Sequence, residues 1–129
     1  MKIHHKGIAV CNIKNAKQKY MDLGYKFINE VYDENQKANL LLLQKDEEFV
    51  ELINSSNEKS PVYNLCRREN EKIYHTCYEV KDIKANIEKL KKEGYMQISE
   101  IVSAKLFKGL ICFMYSKKEG VIELYEVHI

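Results

Sequence analysis

Hydrophobic and polar residues alternate with a period of two along several stretches of the chain, and this alternation predicts β-strands. In the N-terminal half the predicted strands are 3–10, 25–32, 38–44 and 49–53. In the C-terminal half they are 72–80, 95–99, 110–115 and 121–127. Between the first two strands of each half, apolar residues recur at helical spacing instead. Each half is therefore predicted to form a βαβββ unit.

Both predicted helices have recognisable ends. Asn12 can cap the first helix, which runs through about residue 23 and is followed by Gly24. Asp82 and Gly94 bound the second helix in the same way. Asn and Asp are favoured before the first turn, and glycine is favoured just beyond the last one.

The sequence also repeats itself at a spacing of about 70 residues. His5, early in the first half, recurs as His75, and Glu51, late in that half, recurs as Glu123. Self-similarity at a fixed period indicates two copies of one supersecondary unit. We therefore predict a single domain of two modules. Its predicted parts are module one at about 1–54, a connector at about 55–71 and module two at about 72–129.

Two segments lie outside the repeated pattern. In the connector, Ser60 and Pro61 predict a short helix toward Arg68, with the serine as N-cap and the proline in the first turn. In the second half, the predicted loop 100–109 is longer than a hairpin needs.

Composition indicates an ordinary globular protein of 129 residues, 45% of them hydrophobic and 31% charged. The 21 basic and 19 acidic residues leave a net charge of +2, too small to indicate nucleic acid or an anionic membrane as a partner. We expect a cytoplasmic protein, because the sequence shows neither a signal-peptide core nor an apolar stretch of membrane-spanning length. The cysteines form no Cys-x-x-Cys pair and are expected to be small buried residues rather than disulfides.

The repeat singles out four candidate metal ligands. Taken separately, a strand histidine or glutamate is usually a satisfied or solvent-facing residue. Their recurrence at equivalent places changes this interpretation for His5, Glu51, His75 and Glu123. Each glutamate lies between apolar neighbours, which point to the opposite face of its strand. Two imidazoles and two carboxylates suit a divalent ion and leave room in an octahedral shell for water or substrate.

Three further polar residues have no counterpart in the other half. His4 and His128 are therefore interpreted as surface residues, and Glu126 is placed on the strand face opposite Glu123.

At the residues of the repeat the chain resembles the vicinal oxygen chelate superfamily, which includes glyoxalases and bleomycin resistance proteins. Within it, the sequence is most similar to methylmalonyl-CoA epimerases and short bacterial glyoxalase I enzymes. The segments that carry the resemblance are 5–10, 50–53, 60–62, 74–83 and 120–124. The resemblance implies an α+β fold, in which two βαβββ modules in tandem form a curved, mostly antiparallel sheet around a metal site, with the helices on the convex side.

The resemblance also implies a ligand set and a reaction. It assigns His5, Glu51, His75 and Glu123 as ligands of a divalent ion, which would be nickel, cobalt, manganese or zinc. The implied enzyme is a metal-dependent isomerase or lyase that moves a proton next to a carbonyl of a thiol-conjugated substrate. Glu123 is the first choice as the catalytic base, with Glu51 returning the proton and Glu34 as an alternative contributor.

The substrate and the assembly stay open at this point. A glyoxalase I (lactoylglutathione lyase) type would act on a glutathione hemithioacetal, and a methylmalonyl-CoA epimerase type on an acyl-CoA. Ser103 and Lys105, in the loop of the second half, are weak candidates for substrate binding. A homodimer is expected. The alternatives are a non-catalytic module that binds a small molecule or an antibiotic, or an enzyme of sugar or secondary metabolism on the same scaffold.

Overall fold

A computed structural model describes residues 1–67 and 72–128 of the chain. The elements of the N-terminal half are β1 (Lys2–Ala9), α1 (Ile13–Asp22), β2 (Lys26–Asp33), β3 (Ala38–Lys45), β4 (Glu48–Asn54) and α2 (Tyr63–Cys66). Those of the C-terminal half are β5 (Lys72–Val80), α3 (Ile83–Lys92), β6 (Met96–Gln97), β7 (Val102–Ser103), β8 (Gly109–Ser116) and β9 (Gly120–Val127).

The chain divides into two compact units. The first unit comprises the described residues of His5–Tyr74, and the second unit those of Met1–His4 and His75–Ile129. In the first unit the strands lie in the order β2-β3-β4-β1. The pairs β2/β3 and β3/β4 are antiparallel, whereas β1 and β4 are parallel. Helix α1 connects β1 to β2.

One face of this first sheet packs against α1. Alternate residues of the strands point to that face, as a period of two requires. The buried cluster there consists of Val10, Ala16, Leu41, Leu43, Val50 and Leu52. Since Val50 and Leu52 face the helix, Glu51 between them points to the opposite face.

The second unit repeats this arrangement. β5 and β9 are parallel, β9 and β8 are antiparallel, and the short strands β6 and β7 both pair with β8. The cluster beneath α3 consists of Val80, Ile83, Ile87, Leu90, Cys112, Met114, Ile122 and Leu124. Ile122 and Leu124 thus occupy the helix-side face, and Glu123 between them occupies the other.

The predicted helix ends are confirmed by hydrogen bonds at both N-termini. The Asn15 amide donates to the Asn12 side chain at 3.0 Å, and the Ala85 amide donates to the Asp82 side chain at 3.0 Å. Beyond the C-termini, Gly24 has φ +100° and the equivalent Gly94 has φ +97°. These left-handed conformations strain any residue with a Cβ, which is why glycine ends each helix.

Two local predictions were wrong. Ser60 does not cap a helix, because α2 begins only at Tyr63; instead the Tyr63 amide donates to the Ser60 carbonyl at 3.1 Å and closes a turn. The predicted end of this helix at Arg68 lies outside the described residues. The predicted loop 100–109 contains the two-residue strand β7, which forms by pairing with β8.

The predicted fold class is confirmed: the protein is α+β, with a βαβββ order in each half and mostly antiparallel strand pairs. The second module departs from this order only by the additional strand β7. Among the described residues, every helix is too short or too polar to cross a membrane.

Candidate metal centre

The first unit contains a buried histidine–glutamate pair on its two parallel strands. His5 lies on β1 and Glu51 on β4, with 3.6 Å between His5 Nε2 and Glu51 Oε2. The two residues are only 3% and 5% exposed. In the strand register Gly7 is the partner of Glu51, so His5 lies two residues before the paired position, on the same face of the sheet.

The second unit contains an equivalent pair. His75 on β5 and Glu123 on β9 approach to 3.1 Å between Nε2 and Oε1. They are 1% and 4% exposed. Here Cys77 is the partner of Glu123, so His75 again lies two residues before the paired position. The structure therefore builds the same pair twice, with the same strand order and the same register.

Burial makes these pairs costly for the fold. A carboxylate removed from water destabilises the protein unless cations or hydrogen-bond donors compensate its charge. The strand neighbours of each glutamate lie in the apolar cluster under a helix, so the glutamate itself points to the other face of the sheet. Its carboxylate is nevertheless buried there. Placing a second ionisable group beside it is unnecessary for folding, since an apolar pair would fill the same space without the desolvation cost.

The donor atoms of each pair fit a transition metal ion. Two ligand atoms in neighbouring octahedral positions, each about 2.1 Å from an ion, lie about 3.0 Å apart, and tetrahedral positions separate them to about 3.4 Å. The measured separations of 3.1 and 3.6 Å are close to these values. Imidazole nitrogen with carboxylate oxygen is a donor set that zinc, nickel, cobalt and manganese accept. A direct histidine–carboxylate hydrogen bond would explain the shorter separation equally well. That all four side chains ligate one ion stays a prediction.

The structure adds one aromatic residue to the second pair. Phe113 is the direct cross-strand partner of Glu123, and its ring meets the His75 ring edge-on, with 5.3 Å between centroids and 78° between planes. Sequence reasoning missed this residue, although the three-residue turn between β8 and β9 fixes the register that places Phe113 opposite Glu123. In the first unit, Leu42 holds the same register position opposite Glu51.

The other predicted site residues are exposed. Ser103 on β7 is the cross-strand partner of Leu110, which packs against the helix-side cluster, so Ser103 lies on the face opposite Glu123. Lys105 is exposed in the following loop. Glu34 is exposed in the turn between β2 and β3. Their roles in substrate binding or proton transfer stay predictions.

His4 is the one correction among the residues without a counterpart. The sequence predicts a surface residue here, but His4 is half-buried, and its ring packs edge-on against Phe107 and Tyr125 at 4.5 and 4.9 Å. His128 is exposed, as predicted. Glu126 lies on the helix side as expected, where its carboxylate accepts the amide of Ile83, the first residue of α3.

The cysteines were predicted to be buried and without disulfides. None of the four, all of which lie within the described residues, forms a disulfide; Cys66, Cys77 and Cys112 are buried, whereas Cys11 is exposed. Burial raises the pKa of the Cys66 and Cys112 thiols, which keeps them protonated and unreactive at neutral pH.

The fold is a duplicated α+β scaffold. Each of its two βαβββ units carries a buried His–Glu pair on parallel strands. The chain belongs to the Glyoxalase/Bleomycin resistance protein/Dioxygenase superfamily, whose family model matches residues 4–124. The predicted resemblance is thereby confirmed. Over 78 residues, 60% of this chain, the sequence is 31% identical to the uncharacterized protein YqjC of Bacillus subtilis (strain 168), and the match spans 56% of that relative's length.

Solved structures share the fold over almost the whole chain. The methylmalonyl-CoA epimerase of Mycobacterium tuberculosis is 23% identical, with a TM-score of 0.87 over 99% of this chain and 89% of that one. The hypothetical protein BH1468 of Bacillus halodurans C-125 is 26% identical, with a TM-score of 0.86 over 99% and 95%. A methylmalonyl-CoA epimerase of Streptomyces coelicolor, solved in complex with 2-nitronate-propionyl-CoA, is 19% identical, with a TM-score of 0.87 over 98% and 94%.

Proposed function

We propose that this protein is a metal-dependent isomerase or lyase that moves a proton next to a carbonyl group. The observation that carries the proposal is the buried His–Glu pair, built with the same register in each unit. Membership of the superfamily supports it, because members usually bind a divalent metal. We propose that His5, Glu51, His75 and Glu123 together hold one ion of nickel, cobalt, manganese or zinc.

The bound ion would stabilise the negative charge that develops on the substrate carbonyl oxygen when the neighbouring proton leaves. The chain's own residues supply the remaining chemistry. Glu123 would accept the proton through a carboxylate oxygen, and Glu51, protonated at the start of the step, would give its own proton to the opposite side of the same carbon, so that the two glutamates exchange protonation states in each turnover. Both glutamates are buried, at 5% and 4% exposed, and exclusion of bulk water strengthens the electrostatic interactions of their carboxylates.

We propose an acyl-CoA as the first substrate to test, with a glutathione hemithioacetal as the second. The acyl-CoA is favoured by the fold shared with methylmalonyl-CoA epimerases and by the acyl-CoA ligand of the Streptomyces coelicolor enzyme. A cytoplasmic homodimer remains part of the proposal, and light scattering on the purified protein tests its oligomeric state.

The test is an activity assay on purified protein loaded separately with each of the four metals. Epimerisation of methylmalonyl-CoA is followed by proton exchange with deuterated water, and thioester formation from the glutathione hemithioacetal by absorbance. Glu123→Gln should abolish turnover, whereas Glu126→Gln, a change on the helix side of the same strand, should retain it. Metal-loaded wild-type protein that turns over neither substrate would contradict the proposal in this form.

A further inference from the structure

We infer that Phe113 is a positioning residue that holds the His75 imidazole in one orientation beside Glu123. Where this inference concerns metal binding, it rests on the proposed function. Phe113 is linked to both members of the pair: its backbone is the cross-strand partner of Glu123, and its ring meets the His75 ring edge-on at 5.3 Å. Edge-to-face contact between rings at this separation is attractive and depends on the angle between them.

The position of Phe113 is itself fixed from the outer side of β8. Its amide donates to the Ser99 side chain at 2.8 Å, and its carbonyl accepts the Ile98 amide at 3.0 Å. On the other side the backbone pairs with β9. The ring is only 7% exposed. A side chain held in this way can restrict rotation of the imidazole without touching any substrate.

Folding alone does not require an aromatic residue here. In the first unit the same register position, opposite Glu51, is occupied by the buried aliphatic residue Leu42. The two units thus have the same strand pairing with different side chains at this point. Strand pairing alone therefore does not explain the ring of Phe113, and the contact that the ring makes is with the His75 imidazole.

The experiment compares Phe113→Leu with Met114→Leu, which changes the next residue of β8 on the opposite, helix-side face. Cobalt affinity is measured by titration calorimetry, and the His75 ring resonances are recorded in metal-free protein, assigned with a His75→Gln variant. We expect Phe113→Leu to weaken cobalt binding by about tenfold or more, in the range found for residues that orient metal ligands. It should also broaden the His75 ring signals by exchange between ring orientations, an effect that loss of the Phe113 ring current alone would not cause.

Met114→Leu should leave cobalt affinity within about twofold of the wild type and the His75 signals sharp, and Phe113→Tyr, which keeps the ring, should do the same. If Phe113→Leu does not fold, Phe113→Met keeps more of the side-chain volume and should show the same loss. Unchanged cobalt affinity and His75 signals that stay sharp in the Leu or Met variant would overturn the inference. Wild-type protein that binds no cobalt would instead contradict the proposed function, while the His75 signals would still decide the role of Phe113.

Discussion

Neutralising one glutamate in either unit should remove the whole metal-dependent stabilisation of the protein. Glu51→Gln and Glu123→Gln preserve the shape of the side chain but replace a charged carboxylate ligand of the proposed ion with a neutral amide oxygen, which binds divalent transition metals much more weakly. Because the proposal places both pairs on a single ion, the loss of either glutamate should empty the site. If each pair bound its own ion, a single substitution would leave half of the metal in place.

The size of the effect follows from mass action. An ion present at about 100 times its Kd stabilises the folded state by about 2.7 kcal/mol. For 129 residues the entropy of unfolding is about 0.27 kcal/mol per kelvin, from about 2.1 cal/mol per kelvin per residue. The wild-type protein should therefore melt about 10 °C higher with metal than after chelation. Both variants should show a shift close to zero.

The assay combines scanning calorimetry with elemental analysis of dialysed protein. The expected metal content is one ion per chain in the wild type and essentially none in either variant. Glu126→Gln is the matched control: its carboxylate accepts the Ile83 amide on the helix side of β9, so the change should lower the melting temperature slightly and leave the metal-dependent shift intact. Two ions in the wild type and one in each variant would refute the shared site.

Three further predictions concern the scaffold. The pKa of Tyr78, raised to about 12 mainly by its hydrogen bond to Glu119, contributes stability that is complete below about pH 10 and is lost as pH rises toward 12. Glu119→Gln should shift the absorbance titration of Tyr78 toward pH 10. An unshifted titration would show that the hydrogen bond to Glu119 does not raise the pKa of Tyr78. Asn12→Ala and Asp82→Ala should each cost about 1 kcal/mol, or about 4 °C in melting temperature, by loss of an N-cap, and calorimetry should find the two losses additive. A thiol reagent should modify Cys11 rapidly and the three buried cysteines only on unfolding; rapid reaction of a second thiol would show that the buried sulfurs are accessible.

Helix caps and strand alternation predicted most of the helices and strands, because both features depend only on residues close together in the sequence. The caps Asn12 and Asp82 were identified from residue type and spacing alone, and the helices begin directly after them. Ser60-Pro61 misled because serine followed by proline is equally typical of the first two positions of a β-turn, which is the structure it forms. Strand β7 depends on pairing with β8 and has only two residues, too few for a periodic pattern.

The candidate site was predictable only as far as strand parity and the repeat reach. Alternation places Glu51 and Glu123 on the faces opposite their apolar neighbours, which the helix-side clusters bear out. Each histidine approaches its glutamate because two parallel strands pair in a particular register. The alternation of residues along one strand cannot predict that register. Burial of His4 was missed for a related reason, because its ring partners are more than 100 residues away in the sequence.

Differences between the two units separate the needs of the fold from those of function. The glutamate's cross-strand partner is Leu42 in one unit and Phe113 in the other. At the end of β4, the side-chain amide of Asn54 donates to two backbone carbonyls just before α1. At the equivalent end of β9, the Glu126 carboxylate accepts the backbone amide of Ile83, the first residue of α3. At both positions the fold therefore accepts different side chains in the two units. The His–Glu pair instead combines identical residues, equal register and a desolvation cost that an apolar pair would avoid, and chemistry explains that identity better than folding does.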